Sequence, residues 1–161
     1  MREYKLVTLE EVNEAVAYWQ PRLHLIDVII MTGVKRNLTN EDSDGLMGGG
    51  KFLVNKKIAL LYIDEDLRDR CKDDNWSSEW ICGYKSWADE KYIVEIVVVH
   101  EMLHFHQFPW RNQLYSALGL KGRLRNNAWD LLQEMEENMI NQIARALIEL
   151  KYGEEIKMGN E

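Results

Sequence analysis

The segment Val97-Val98-Val99-His100-Glu101-Met102-Leu103-His104-Phe105-His106-Gln107-Phe108-Pro109-Trp110 decides how this chain folds. Its β-branched start, with Ile93, Val94 and Ile96 before it, suits a buried strand as well as a helix. The polar residues settle the choice. On a helix, residues four apart lie about 40° apart on one face. His100 and His104 then point the same way, as two imidazoles sharing one zinc ion must. Glu101 stands about 100° round from His100, beside such an ion rather than on it, where its carboxylate can take a proton from a metal-activated water. Met102, Leu103 and Phe105 are bulky and apolar, and a buried, rigid helix holds ligands in place. With four histidines in the chain, chance gives His-Glu-x-x-His in roughly one such sequence in a hundred.

Outward from this segment, Ser86 is the expected N-cap, with Asp89 and Glu90 in a first turn where the helix dipole favours carboxylates. The helix is expected to run to about Gln107 and to end at Pro109. A short helix over residues 112–118 and a break at 119–122 come next. Residues 126–151 form the most regular helical pattern in the chain. Upstream, Thr8-Leu9-Glu10-Glu11 reads as a capping box. It opens a helix to about Trp19, with Leu9, Val12, Val16 and Trp19 as its apolar stripe and Pro21 near its end. Residues 23–32 read as a strand, 37–50 as a polar, glycine-ended mobile loop, and 52–54 with 58–63 as a hairpin. Residues 64–85 look irregular, with Trp76, Trp80 and Tyr84 as covering aromatics. The expectation is one α+β domain over residues 1–161, with flexible ends at 1–7 and 153–161. A small sheet packs on the motif helix and the long C-terminal helix lies behind it.

A catalytic zinc ion needs a third protein ligand and an open position. The other histidines, His24 and His106, lie at neither spacing used by zinc proteases with a third downstream histidine, and the sixth residue after His104 is Trp110. A carboxylate remains, and the long helix offers Glu134, Glu136 and Glu137. Glu136 lies within an apolar stripe of Trp129, Leu132, Met139, Ile140, Ile143 and Leu147, where a buried carboxylate needs a cation. Glu137 lies at the stripe's edge with Asn141 one turn on, which suits a ligand facing a cleft with a polar residue behind it. A partly buried glutamate paired with an arginine is the plain alternative for either. Helical geometry does not separate them.

A net charge of −7 and a pI near 5.2 argue against a general nucleic-acid binder. Cys71 and Cys82, without a signal-type leader, favour free thiols and a cytoplasmic protein. No uncharged run is long enough to span a bilayer. The tryptophans read as core, and Met135 and Met139 as core in preference to a dimer face.

The segment from Val97 to Trp110, together with Glu137-Asn138-Met139-Ile140-Asn141-Gln142-Ile143-Ala144-Arg145-Ala146-Leu147, resembles a group of small zinc-peptidase-like proteins of phages and prophages. Residues 18–25 and 58–63 look similar as well, so the likeness spans most of the chain but is specific in the two helices. The group falls in the gluzincin class, whose zinc ligands are the two motif histidines and a downstream glutamate often followed four residues later by Asp or Asn. Glu137 with Asn141 matches that pattern and Glu136 with Ile140 does not. The resemblance therefore implies His100, His104 and Glu137 as zinc ligands and Glu101 as general base. Residues 37–50 have no counterpart in it.

Further roles rest on chemistry alone. His106 is a candidate to orient substrate or stabilise an oxyanion if the helix unwinds before Pro109, and otherwise a surface histidine. Tyr84, Tyr115, Arg111 and Arg123 are oxyanion candidates of equal standing. The strand at residues 57–63 is a candidate edge for aligning a peptide substrate. The function expected is that of a zinc-dependent peptidase with a peptide or protein substrate. The alternatives are a zinc amidase on a non-peptide substrate and a zinc-stabilised, non-enzymatic binding or structural protein of a phage-like element.

Overall fold

Thr8 starts the fold as the capping box predicts. Its Oγ1 accepts from the Glu11 amide at 3.2 Å, and Glu11 Oε2 accepts from the Thr8 amide at 3.0 Å. The structure is a computed structural model and describes residues 5–36, 48–70, 92–119 and 122–158. Helix α1 spans Leu9–Arg22 and buries Val12, Ala15, Val16 and Trp19, while Leu9 stays exposed. Pro21 sits in its last turn rather than beyond it. The proline removes an N–H that would have bonded the carbonyl four residues back, and the helix nevertheless continues to Arg22.

Residues 23–28 form a turn instead of the strand expected there. His24 takes a φ of 54°, and Gln20 Nε2 donates to the carbonyls of Leu25 and Val28 at 3.0 and 2.7 Å. Strand β1 follows at Ile29–Lys35, then β2 at Gly48–Leu53, a 3-10 turn at Val54–Lys56, and β3 at Ile58–Asp64. The sheet order is β1-β3-β2, with β1 parallel and β2 antiparallel to β3. The hairpin is thus as expected, but β2 begins earlier and takes in Gly48, Gly49 and Gly50, which sequence alone assigns to a loop. Position 57–63 also proves to be the central strand, with both of its edges taken. It cannot accept a further strand.

Ala59, Leu61 and Ile63 of β3 are fully buried and face the helices; Leu60 and Tyr62 face the other way. A short α2 at Leu67–Arg70 leads on to the described start of α3. Arg68 of α2 ties down the N-terminal segment through the carbonyls of Lys5 and Leu6 and the carboxylate of Glu11. Val7, expected in a flexible end, is buried and donates its amide to Glu65.

Helix α3 covers Ile93–Ala117. Ile93, Val94, Ile96, Val97, Val98, Val99, Met102 and Phe105 are all buried, so it is apolar nearly all round, as a central helix must be. It packs on α1, α2, β2, β3 and the last helix. Tertiary burial overrides its local strand propensity. Pro109 does not end it: the helix runs through and absorbs the segment expected as a separate helix. It stops at Gly119, whose φ of 60° is the left-handed conformation of a helix C-terminus. Helix α4 spans Gly122–Met158, longer at both ends than predicted. Its buried face carries Glu136, Ile140, Ala144 and Ile148. Met135 and Met139, expected in the core, are 60% and 49% exposed.

The architecture is α+β, a small mixed three-stranded sheet with a long C-terminal helix. Among the described residues, no helix is long and apolar enough to cross a membrane. The expected N-cap at Ser86 and residues Cys71, Trp76, Trp80, Cys82 and Tyr84 lie outside the described residues.

Candidate metal centre

Two facing helices build the site. Helix α3 presents His100 and His104 one turn apart, and α4 presents Glu137 and Asn141 at the same spacing. The Nε2 atoms of the two histidines are 3.1 Å apart. One Glu137 oxygen lies 3.2 Å from His100 Nε2 and the other 3.2 Å from His104 Nε2. Ligand atoms of all three residues fall within 4.8 Å of one another. A tetrahedral zinc site with bonds of ~2.0–2.1 Å has ligand-to-ligand edges of ~3.3 Å. The observed spacings are close to that, so the three residues could hold a metal ion between them.

Asn141 Oδ1 lies 2.8 Å from His100 Nδ1. With Nδ1–H donating to that oxygen, His100 keeps its Nε2 lone pair for the centre, the arrangement that orients metal-binding histidines. His104 is held differently. Phe108, one turn on, stacks on its ring at 5.9 Å between centroids and 12° between planes.

Burial and charge act together here. His100 and His104 side chains are only 7% and 12% exposed, whereas Glu137 is 39% exposed, so the centre opens on the Glu137 side. Desolvation alone raises the Glu137 pKa, but hydrogen bonds and charge from the two histidines outweigh it and hold the carboxyl well below the usual carboxylate range. Burial drives His100 toward neutrality. The Glu137 hydrogen bond and the charges of Glu101 and Glu137 prevail, leaving its pKa raised. Burial pushes the Glu101 carboxyl up, against the pull of both histidines.

Glu101 is 9% exposed and lies under β2. A Cβ built on Gly48 would stand 3.1 Å from Glu101 Cγ, 3.2 Å from its Oε1 and 2.7 Å from Val97 Cγ1. One on Gly50 would stand 2.9 Å from Phe105. The strand can lie this close to α3 only because those positions carry no side chain.

The structure brings together His100, Glu101, His104, Glu137 and Asn141. Glu136 points elsewhere: it is buried and paired with Arg111 by two hydrogen bonds. The buried carboxylate thus has its cation, an arginine. Arg111, an oxyanion candidate from sequence, is committed to that pair. His106 is exposed and meets the Leu23 carbonyl at 2.6 Å, away from the centre. The helix does not unwind before Pro109, so the condition for an oxyanion role fails. Arg123 is exposed on α4, and the Tyr115 side chain is outside the described ones. Sequence reasoning missed Phe108 and Gly48. Phe108 follows His104 by four residues, a spacing that places it on the same face. Gly48 had no such signal.

Known proteins add nothing to this geometry. No protein-family model, no curated protein and no solved structure matches the chain. The reading of the centre therefore rests on its own residues.

Proposed function

We propose that the protein is a zinc-dependent peptidase of zincin-like design, with His100, His104 and Glu137 as metal ligands. The observation that carries this is the convergence of two imidazole nitrogens and a carboxylate from separate helices, with a buried glutamate next in sequence to one of them. A divalent ion bound there supplies Lewis acidity to a scissile carbonyl and acidifies a water. Glu101 would serve as the general base toward such a water and pass the proton to the leaving amine, a task helped by a pKa lifted by burial. Asn141 fixes the ring of His100. Among the described residues β2 pairs only with β3, and its other edge has no partner among them. A peptide added there as a strand would be aligned by main-chain hydrogen bonds beside the strand that covers Glu101.

The resemblance of the two helices to gluzincin-class sequences supports the same reading. The test is metal content and peptide hydrolysis measured on the wild type and on Glu101→Gln. The expected result is about one zinc ion per chain in both, with hydrolysis in the wild type only. An active Glu101→Gln protein excludes this mechanism. Zinc bound equally by both, with neither cleaving peptides, points to a metal-stabilised binding or structural module or to a non-peptide amide as substrate.

A further inference from the structure

His100 and His104 are equivalent as ligands but not in how their second ring nitrogens are placed. His100 Nδ1 has Asn141. Among the described residues His104 Nδ1 is buried without a hydrogen-bond partner. Such an atom is costly in a packed interior. Among the described residues two other side-chain polar atoms share this condition, Asp69 Oδ1 on α2 and Gln107 Oε1. The last lies on the same helix as His104, three residues on. Residues at that spacing are neighbours on one face, and helix side chains lean toward the preceding turn, which directs Gln107 over His104.

We propose that Gln107 is the positioning residue of His104: its side-chain oxygen accepts the Nδ1 proton that His104 carries once its Nε2 holds a metal ion. This rests on the metal-site reading above. When Nε2 donates its lone pair to a cation, a neutral imidazole has its proton on Nδ1. That makes Nδ1 a donor in need of an acceptor, and Gln107 Oε1 is a buried acceptor in need of a donor. A hydrogen bond between the two would satisfy both at once. The pairing fixes the tautomer and ring orientation of His104 as Asn141 does for His100. The two ligands are then braced from opposite directions, one from α4 and the other from within α3. Phe108 closes the ring's flat side.

The test is zinc affinity of the full chain, by competition with a chromophoric chelator, in the wild type, Gln107→Met and Gln107→Glu. Methionine fills the space without an acceptor, and glutamate keeps the acceptor. Zinc affinity is expected to fall by about 10–100-fold in Gln107→Met and to stay at or above the wild-type level in Gln107→Glu. A packing role predicts the reverse, since buried Met is tolerated and an added buried charge is not. Equal zinc affinity in the wild type and Gln107→Met overturns the inference alone. A wild type that binds no zinc overturns the metal-site reading and the inference with it. Should Gln107→Met fail to fold, the zinc-loaded wild type decides through ring-nitrogen NMR. His104 protonated at Nδ1, with that proton slow to exchange, is expected; rapid exchange with bulk water overturns the proposal.

Discussion

At the scale of single residues, a missing side chain is as informative as those that line the centre. Gly48 of β2 leaves room for Val97 and for the Glu101 carboxylate. Gly48→Ala places a methyl 2.7 Å from Val97 Cγ1 and 3.1 Å from Glu101 Cγ, so strand and helix must part or Glu101 must turn. The expected cost is ~1–3 kcal/mol of stability, read by urea unfolding. Hydrolysis should fall further than that loss explains at temperatures where the variant stays folded. A variant as stable and active as the wild type would show that β2 does not press on Glu101. The sequence could not have placed Gly48 here. A run of glycines has low strand propensity, and only the proximity of α3 gives it a purpose. By contrast, the relation of His100 to His104, and of Glu137 to Asn141, was legible because helical periodicity alone puts residues four apart on one face. What periodicity could not decide was whether Glu136 or Glu137 turns to the histidines. Adjacent residues differ by about 100° round a helix, and the direction of α3 from α4 is a tertiary fact.

Among the elements, α1 was read almost whole, since a capping box is a local device visible in four residues. Its wider connection was not. Glu11 Oε1 also accepts from Arg68 Nη2 at 2.7 Å and from Lys5 Nζ at 3.0 Å, which joins the start of α1 to α2. Partial burial raises the Glu11 pKa, but the bonds from Arg68, Thr8 and Lys5 outweigh it and hold the carboxyl at about 2. With a depressed folded-state pKa, its contribution to stability is present above the ordinary glutamate range and is lost as pH falls toward the folded value. Glu11→Gln should therefore destabilise the protein by ~1 kcal/mol near neutral pH, the worth of a cap. The gap between variant and wild type should close as the pH is lowered to about 2, in chemical unfolding at each pH. A gap that stays constant through that range would assign the effect to packing. The helix ends misplaced at prolines share one cause. Pro21 and Pro109 were taken as stops, yet both lie inside their helices; an interior proline costs ~3 kcal/mol or more, and packing of the surrounding chain outweighs it. For α3 that packing is on the sheet and on both long helices.

For the whole molecule, the centre joins two helices whose approach is already fixed by a buried ion pair. Arg111 on α3 and Glu136 on α4 are 4% and 5% exposed, and Glu137 is the next residue after Glu136. The pair sets the register in which Glu137 reaches both histidines, so structure and metal binding are separable by mutation. Glu136→Ala leaves the Arg111 charge buried and unpaired, at a cost of ~3–5 kcal/mol, but removes no ligand. Glu137→Ala removes the proposed third ligand, a carboxylate that is 39% exposed, and leaves no buried charge unpaired. Zinc at about 100-fold above its Kd stabilises a folded protein by about 2.7 kcal/mol. The wild type and Glu136→Ala should both show that rise in thermal midpoint on adding zinc, from a much lower start in the second. Glu137→Ala should start near the metal-free wild type and show no rise. Where Glu136→Ala is too unstable to measure, the double variant Arg111→Met/Glu136→Leu restores an uncharged interior close to neutral in stability and should keep the zinc response. A zinc response lost with Glu136 and kept without Glu137 would move the third ligand back to the buried carboxylate, and with it the open position that hydrolysis requires.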